Sequence, residues 1–270
     1  VINRINILSF FLFAAFNLLP SDIGPAPFPN LIENKKEINL TSSEISRLSA
    51  TRIEHSDLAG HGSGVYVTFE NFHLIVTADH VTSVSDDGIF IIKSNSGDVT
   101  AKTIYKDPVQ DLSVLILEEP LKNHIPIKLK IENRLIGVGE KVHYSGWPGQ
   151  NDILTLEGYI AGYRKTENVL FFIVHGLAWM GSSGSGVLDD KGNLIGVIVG
   201  LGKESAPWPG LPPIAIEDIV WVTSIEKLDH DALWLGICLS NPTNKKCKNI
   251  PKKVEKSSVD ESQKDLENSD

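Results

Sequence analysis

Trp179-Met180-Gly181-Ser182-Ser183-Gly184-Ser185-Gly186-Val187-Leu188 is a glycine-rich turn opening into a short apolar run. Glycines at 181 and 184 reach backbone conformations closed to other residues, and they leave main-chain N–H groups unobstructed by side chains. A polar turn, Asp189-Asp190-Lys191-Gly192-Asn193, follows, and then the strand-like run Leu194-Ile195-Gly196-Val197-Ile198-Val199. Taken alone, a Gly-Ser cluster is most often only a flexible turn. Its meaning depends on the residues upstream.

Upstream and around it the chain reads as short β-type runs between turns: residues 64–69, 74–77, 89–93, 112–117, 141–145, 169–174, 186–188 and 194–199. Many short strands at close spacing predict an all-β barrel or sandwich. Ile219, Val222, Ile225, Leu228 and Leu233 fall at broadly helical spacing, which predicts a terminal helix within residues 215–236.

Two of these runs end in chemically capable residues. Phe72-His73-Leu74-Ile75-Val76-Thr77-Ala78-Asp79-His80-Val81 is an apolar strand that delivers His80 at its exit, held rigidly yet open to a cleft. Asp111 immediately precedes the apolar run Leu112-Ser113-Val114-Leu115-Ile116-Leu117, which draws its carboxylate inward, where it needs a partner such as an imidazole N–H. Acyl transfer near neutral pH requires a nucleophile, a base, a group orienting the base, and donors for the developing oxyanion. His80, Asp111, Ser183 and the glycine turn supply one of each. His61 and His73 compete with His80, and Asp79 and Asp107 with Asp111. Of these, His61 lies in a glycine loop, His73 early in its strand, Asp107 in a turn before Pro108, and Asp79 beside His80 with its side chain expected to point away.

These segments resemble the trypsin-like (chymotrypsin-fold) serine peptidases. The family's Gly-x-Ser-Gly element matches residues 181–184, its Thr-Ala-x-His element residues 77–80, and its Asp-Leu-x-Val-Leu element residues 111–115. Gly62-Ser63-Gly64-Val65 resembles the strand entry before the histidine, and Tyr144-Ser145-Gly146-Trp147-Pro148-Gly149 the Gly-Tyr-Pro turn of the second barrel. The resemblance covers about residues 58–202. It implies two six-stranded antiparallel β-barrels, about residues 51–138 and 139–225, followed by a helix within a peptidase domain of residues 51–236. It also implies that Ser183 is the nucleophile, His80 the base and later acid, Asp111 the residue setting the His80 tautomer, and the N–H groups of Gly181 and Ser183 the oxyanion hole. The implied activity is serine endopeptidase cleavage of a protein or peptide through an acyl-enzyme, with no cofactor and no metal. The alternatives are a catalytically silent binding module on the same fold and a viral or phage processing protease.

Chain order excludes the α/β-hydrolases, which run nucleophile, acid, histidine. Neither glycine-rich segment leads into Gly-Lys-Ser/Thr, so neither is a phosphate loop. The position before the nucleophile is Ser182, where digestive trypsins carry the aspartate that pairs with a newly cut N-terminus. That departure places the chain nearer the HtrA-like and glutamyl-endopeptidase-like branches. Ile198 lies where glutamyl endopeptidases carry a histidine, and Leu177 lies six before Ser183, so the expected P1 residue is small or apolar. No PDZ-type domain is recognisable after residue 225, a departure from HtrA proteins.

A formal charge of -9 argues against a nucleic-acid partner, since phosphate binding needs clustered Lys and Arg. Residues 5–19 form an apolar stretch after Arg4, read as the core of an export signal in a segment 1–20, with a membrane-associated anchor as the alternative. Residues 21–50 read as a linker or proregion, and residues 237–270 as a C-terminal segment with a charged, solvated tail. Cys238 and Cys247 flank a turn at Asn241-Pro242, and in an exported protein the two thiols are expected to oxidise to a disulfide. Oligomeric state is not legible.

Overall fold

Thr41 starts a helix by reciprocal capping: its hydroxyl accepts from the Glu44 N–H, and the Glu44 carboxylate accepts from the Thr41 N–H. This helix opens the part of the chain that a computed structural model describes, residues 39–54, 60–94, 97–131, 136–149, 151–166, 169–204 and 213–247. The expected export segment, most of the expected linker and the charged tail lie outside those residues. Among the described residues no helix is long and apolar enough to cross a membrane.

The helix, α1 (Ser42–Ser49), runs directly into β1 (Ala50–Glu54), the first strand of a barrel. After β1 come β2 (His61–Phe69), β3 (Phe72–Thr77), the one-turn helix α2 (Asp79–Thr82), β4 (Ile89–Lys93), β5 (Val99–Asp107) and β6 (Leu112–Leu117). These pair antiparallel in the order β1-β4-β5-β6-β3-β2, and the β1–β2 ladder closes the ring. A two-residue strand, β7 (Ile127–Lys128), adds to β2 in parallel. A second closed barrel, in the order β10-β13-β12-β11-β8-β9, is built from β8 (Lys141–Gly146), β9 (Leu154–Lys165), β10 (Leu170–His175), β11 (Gly186–Asp189), β12 (Leu194–Glu204) and β13 (Ile214–Ser224). A helix, α3 (His230–Ser240), ends the fold. The two six-stranded barrels and the C-terminal helix agree with the sequence expectation.

Strand alternation explains the packing. Along β2, Tyr66 points into the first barrel with Ile53, Ile75, Phe90, Ile92 and Leu115. Its neighbours Val65 and Val67 point the other way, into a cluster with Leu74, Val114, Leu188, Val197, Leu233 and Ile237 that joins both barrels and α3. The interior of the second barrel is filled by Val142, Ile160, Phe172, Val174, Val187 and Val222 among others. Each such fully buried aliphatic or aromatic side chain contributes about 1.5–3 kcal/mol of hydrophobic free energy, and the shared cluster couples the barrels.

The helix expected within residues 215–236 is corrected. Residues 214–224 are strand, Ile225–Lys227 form a single 3-10 turn, and only His230–Ser240 is α-helix. Ile219 and Trp221 face outward while Val220 and Val222 are fully buried, so the segment has a two-residue period with apolar residues on both faces. Residues 219, 222 and 225 imitate a helical stripe only because of that double apolar face. Residues 42–49, at the end of the segment expected as a linker or proregion, form α1.

Cys238 and Cys247 are joined in a disulfide that fastens the end of α3 to the turn beyond it. Closing a loop of sequence separation 9 removes unfolded-state entropy worth about 2.5 kcal/mol in the chain-entropy account. Replacing both cysteines by serine is expected to lower Tm by about 5–10 °C. Calorimetry of the oxidised protein against the double variant measures it, and equal Tm values would show that the bond adds nothing.

Candidate active site

β3 and β6 pair antiparallel with Thr77 opposite Ser113, so the C-terminal end of β3 lies beside the N-terminal end of β6. His80, just beyond β3, and Asp111, just before β6, therefore meet. The Thr82 hydroxyl donates to Ser113 Oγ at 2.9 Å, tying α2 to β6 and fixing the backbone that carries His80. Asp111 accepts two hydrogen bonds: the His80 backbone N–H to Oδ1 at 2.9 Å and His80 Nδ1 to Oδ2 at 2.8 Å. A carboxylate only accepts, so the imidazole proton is on Nδ1 and neutral His80 presents an unprotonated Nε2. Asp111 takes a left-handed backbone conformation, φ 53°, which costs a non-glycine residue about 1 kcal/mol. Its two hydrogen bonds to His80 offset that cost.

The hydrogen bond that His80 donates to Asp111 holds the His80 pKa above the usual histidine value, against partial burial, which pulls it down; the charges of Asp111 and Asp79 act in the same direction as the hydrogen bond. Asp79 does not face the imidazole as a bonded partner. It is buried, and its Oδ2 accepts from the Ser83 hydroxyl. Asp107 caps its own turn by accepting the N–H groups of Val109 and Gln110. His73 is bonded to Tyr66 OH, and His61 Nε2–H donates to the Trp147 carbonyl at 2.8 Å. Of the histidines and aspartates weighed from the sequence, His80 and Asp111 are the two that the fold pairs.

Ser183 sits in the turn before β11, on the second barrel. Every carbonyl from 180 to 183 is held: Met180 O by the Gly149 N–H at 2.6 Å, Gly181 O by the Ser63 hydroxyl at 2.7 Å, Ser182 O by the Ser185 N–H at 3.0 Å, and Ser183 O by the Ser63 N–H at 2.8 Å. The N–H groups alternate. Ser182 donates to Trp179 O and Gly184 to Ile198 O, whereas the N–H groups of Gly181 and Ser183 donate to no other described residue. Across a trans peptide, N–H and C=O point in opposite directions. Anchoring Met180 O and Ser182 O therefore fixes the directions of the Gly181 and Ser183 N–H groups, each pointing away from its own bonded carbonyl. Ser183 Oγ makes no hydrogen bond to another described residue, His80 included.

Two glycines are obligatory here. Gly181 has φ 94°, and a Cβ on it would lie 2.4 Å from the Trp147 carbonyl oxygen. Gly184 has φ 89°, and its Cβ would lie 1.9 Å from the Ser63 carbonyl oxygen. Three contributors were not singled out from the sequence. Tyr144 donates its hydroxyl to Leu177 O at 2.8 Å, and burial pushes its pKa up to about 12, so it stays a donor. Trp179 Nε1–H donates to Glu217 Oε2 at 2.8 Å, joining the segment before the turn to β13. Ser63 was visible only as part of a Gly-Ser-Gly strand entry. Among the described residues no group of three or more His, Cys, Asp or Glu is placed to hold a metal ion.

The family model for the trypsin-like peptidase domain matches residues 62–197, half of the chain. The chain belongs to the trypsin-like peptidase family. Solved structures similar to this trypsin-like peptidase include the inactive form of the Rv3671c protease of M. tuberculosis, at 17% identity over 68% of this chain and 86% of that one, TM-score 0.52. The HtrA-type protease AlgW with a tripeptide aligns at 20% identity over 75% of this chain and 64% of that one, TM-score 0.56. A serine endoprotease from Yersinia pestis aligns at 21% over 68% and 61%, TM-score 0.52. At these identities the likeness establishes the fold. No curated protein matches the sequence. The trypsin-like peptidase domain as matched ends inside β12, so β13 and α3 lie beyond it.

Proposed function

We propose that this trypsin-like peptidase is a serine endopeptidase in which Ser183 attacks the scissile carbonyl, His80 takes and returns the proton, and Asp111 fixes the His80 tautomer. The observation that carries the reading is the alternation in the 180–184 turn, where four anchored carbonyls leave the N–H groups of Gly181 and Ser183 to a developing oxyanion. As Ser183 Oγ adds to the carbonyl carbon, its proton passes to His80 Nε2. The tetrahedral oxyanion lies against the two N–H groups and collapses by expelling the amine, which takes the proton from His80. Water then repeats the sequence on the acyl-enzyme and returns Ser183 to its hydroxyl. In sites without substrate the nucleophile–base hydrogen bond is often long and tightens as substrate binds.

The P1 residue proposed is small or apolar: Leu177 and Met180 flank the approach to the turn and carry no charge. AlgW was solved with a tripeptide, and we propose an extended peptide as the ligand of the cleft here. The Cys238–Cys247 bond fits an oxidising compartment outside the cytoplasm. Incubation with a fluorophosphonate probe followed by peptide mapping tests the site. The expected adduct is on Ser183 alone, and a wild-type protein left unlabelled would sink the reading.

A further inference from the structure

Ser63 is a fully buried serine in β2 of the first barrel, and all of its polar groups are spent on the nucleophile turn and its surroundings. Its N–H donates to Ser183 O at 2.8 Å. Its hydroxyl donates to Gly181 O at 2.7 Å and accepts the Trp147 N–H at 3.0 Å. Its carbonyl accepts the Thr77 hydroxyl at 2.7 Å. The side chain thus links a first-barrel strand to both second-barrel segments around the turn, residues 147–149 and 180–183. Gly146 supplies the space, since a Cβ there would lie 2.6 Å from Ser63 Oγ.

From this geometry we infer that the Ser63 hydroxyl is the positioning residue that presets the oxyanion hole; the inference rests on the proposed serine-endopeptidase reading. The hydroxyl fixes the peptide plane between Gly181 and Ser182 from one side, while Gly149, on the turn Ser63 steadies through Trp147, fixes the plane between Met180 and Gly181 from the other. Gly181 sits between these two planes at a φ only glycine tolerates, so it is the residue whose N–H swings if either anchor is lost. Ser182 donates its N–H to Trp179 O and accepts the Trp179 N–H on its own hydroxyl, a closed local loop that leaves no charge to be paired by a distant terminus. The hole is therefore set by a neutral hydroxyl from the other barrel, present as soon as both barrels are folded.

Ser63→Ala removes the hydroxyl and leaves the backbone bond to Ser183 O in place. Losing one oxyanion donor outright costs about 10²–10³ in kcat, so loosening one is expected to lower kcat about 10–100-fold, with KM within about twofold. Affinity for a peptide boronic acid, which forms a tetrahedral adduct on Ser183, should fall by a similar factor. The hemiketal oxyanion formed with a ¹³C-labelled peptide chloromethyl ketone should titrate at higher pH by NMR. Rates are taken per site by active-site titration, so that partial unfolding is not counted as slow catalysis. Ser63→Cys, which keeps a weaker donor, should fall between wild type and Ser63→Ala, and it carries the comparison if the alanine variant does not fold. Wild-type kcat and boronate affinity per site, or a loss confined to KM, would overturn the role of Ser63. Wild-type protein that forms no boronate adduct or fluorophosphonate adduct at all would instead overturn the endopeptidase reading beneath it.

Discussion

Ser183→Ala is expected to lower turnover by about a millionfold while leaving the fold intact. The Oγ makes no hydrogen bond to another described residue, whereas the backbone carbonyl, which accepts from Ser63 N–H, is unchanged by the substitution. Stability should therefore move by no more than about 0.5 kcal/mol. Residual catalysis of about 10³–10⁴ over the uncatalysed reaction should persist, because the N–H pair at 181 and 183 still stabilises charge on a carbonyl attacked by water. Hydrolysis of an activated peptide ester, followed beside Tm, separates the two effects. Turnover above about a thousandth of wild type would mean that another group acts as nucleophile.

Asp111→Asn should lower kcat by about ten-thousandfold through the tautomer of His80 rather than its position. In the wild type one carboxylate oxygen accepts the His80 backbone N–H and the other accepts Nδ1–H. An asparagine keeps the backbone bond only with its oxygen on that N–H, which turns its NH₂ toward Nδ1. Neutral His80 must then carry its proton on Nε2, the nitrogen that has to receive one from Ser183. The pH profile moves as well. Activity requires neutral His80, so kcat/KM falls as pH drops through the histidine pKa. Asp111 is the leading cause holding that pKa up, so the wild-type acid limb should lie above about 6.5 and shift downward in Asp111→Asn. A variant with unchanged kcat, or an acid limb that does not move down, would argue against Asp111 as the orienting group.

How much of this was legible beforehand depended on which face of each element is apolar. The expected runs 64–69, 74–77, 89–93, 112–117, 141–145, 169–174, 186–188 and 194–199 fall on strands, residue 169 alone lying just before β10, because most of those segments read as apolar stretches. β5 and β9 were missed because charged residues interrupt their apolar runs, Lys102 and Lys106 in one and Glu157 and Arg164 in the other. α1 was invisible to apolar periodicity since the residues it buries are serines, Ser42, Ser46 and Ser49. Ser46 bonds the Ser145 hydroxyl and Ser49 its own helix backbone. Only the Thr41–Glu44 capping pair marked it. In the site, the glycine turn and the strand-end His80 and Asp111 were readable from local context. Ser63 was not, since its partners at Gly181 lie 118 residues away and nothing local distinguishes a serine with four bonds from one with none.

The segment from α1 into β1 has a consequence for the order of assembly. α1 packs against β8, β9 and β11 of the second barrel, while the strand it runs into closes the first. Its polar contacts reach forward by 99 residues to Ser145 and by 100 to His143. In a chain made from its N-terminus, that helix can meet β2 early but lacks most of its packing partners until the second barrel emerges. The same delay governs the chemistry. A nascent chain that has completed its first barrel already holds His80 against Asp111, but it has neither Ser183 nor the turn that Ser63 braces. The His80–Asp111 pair thus precedes Ser183 in the order of synthesis, and the three come onto one fold only once the second barrel forms.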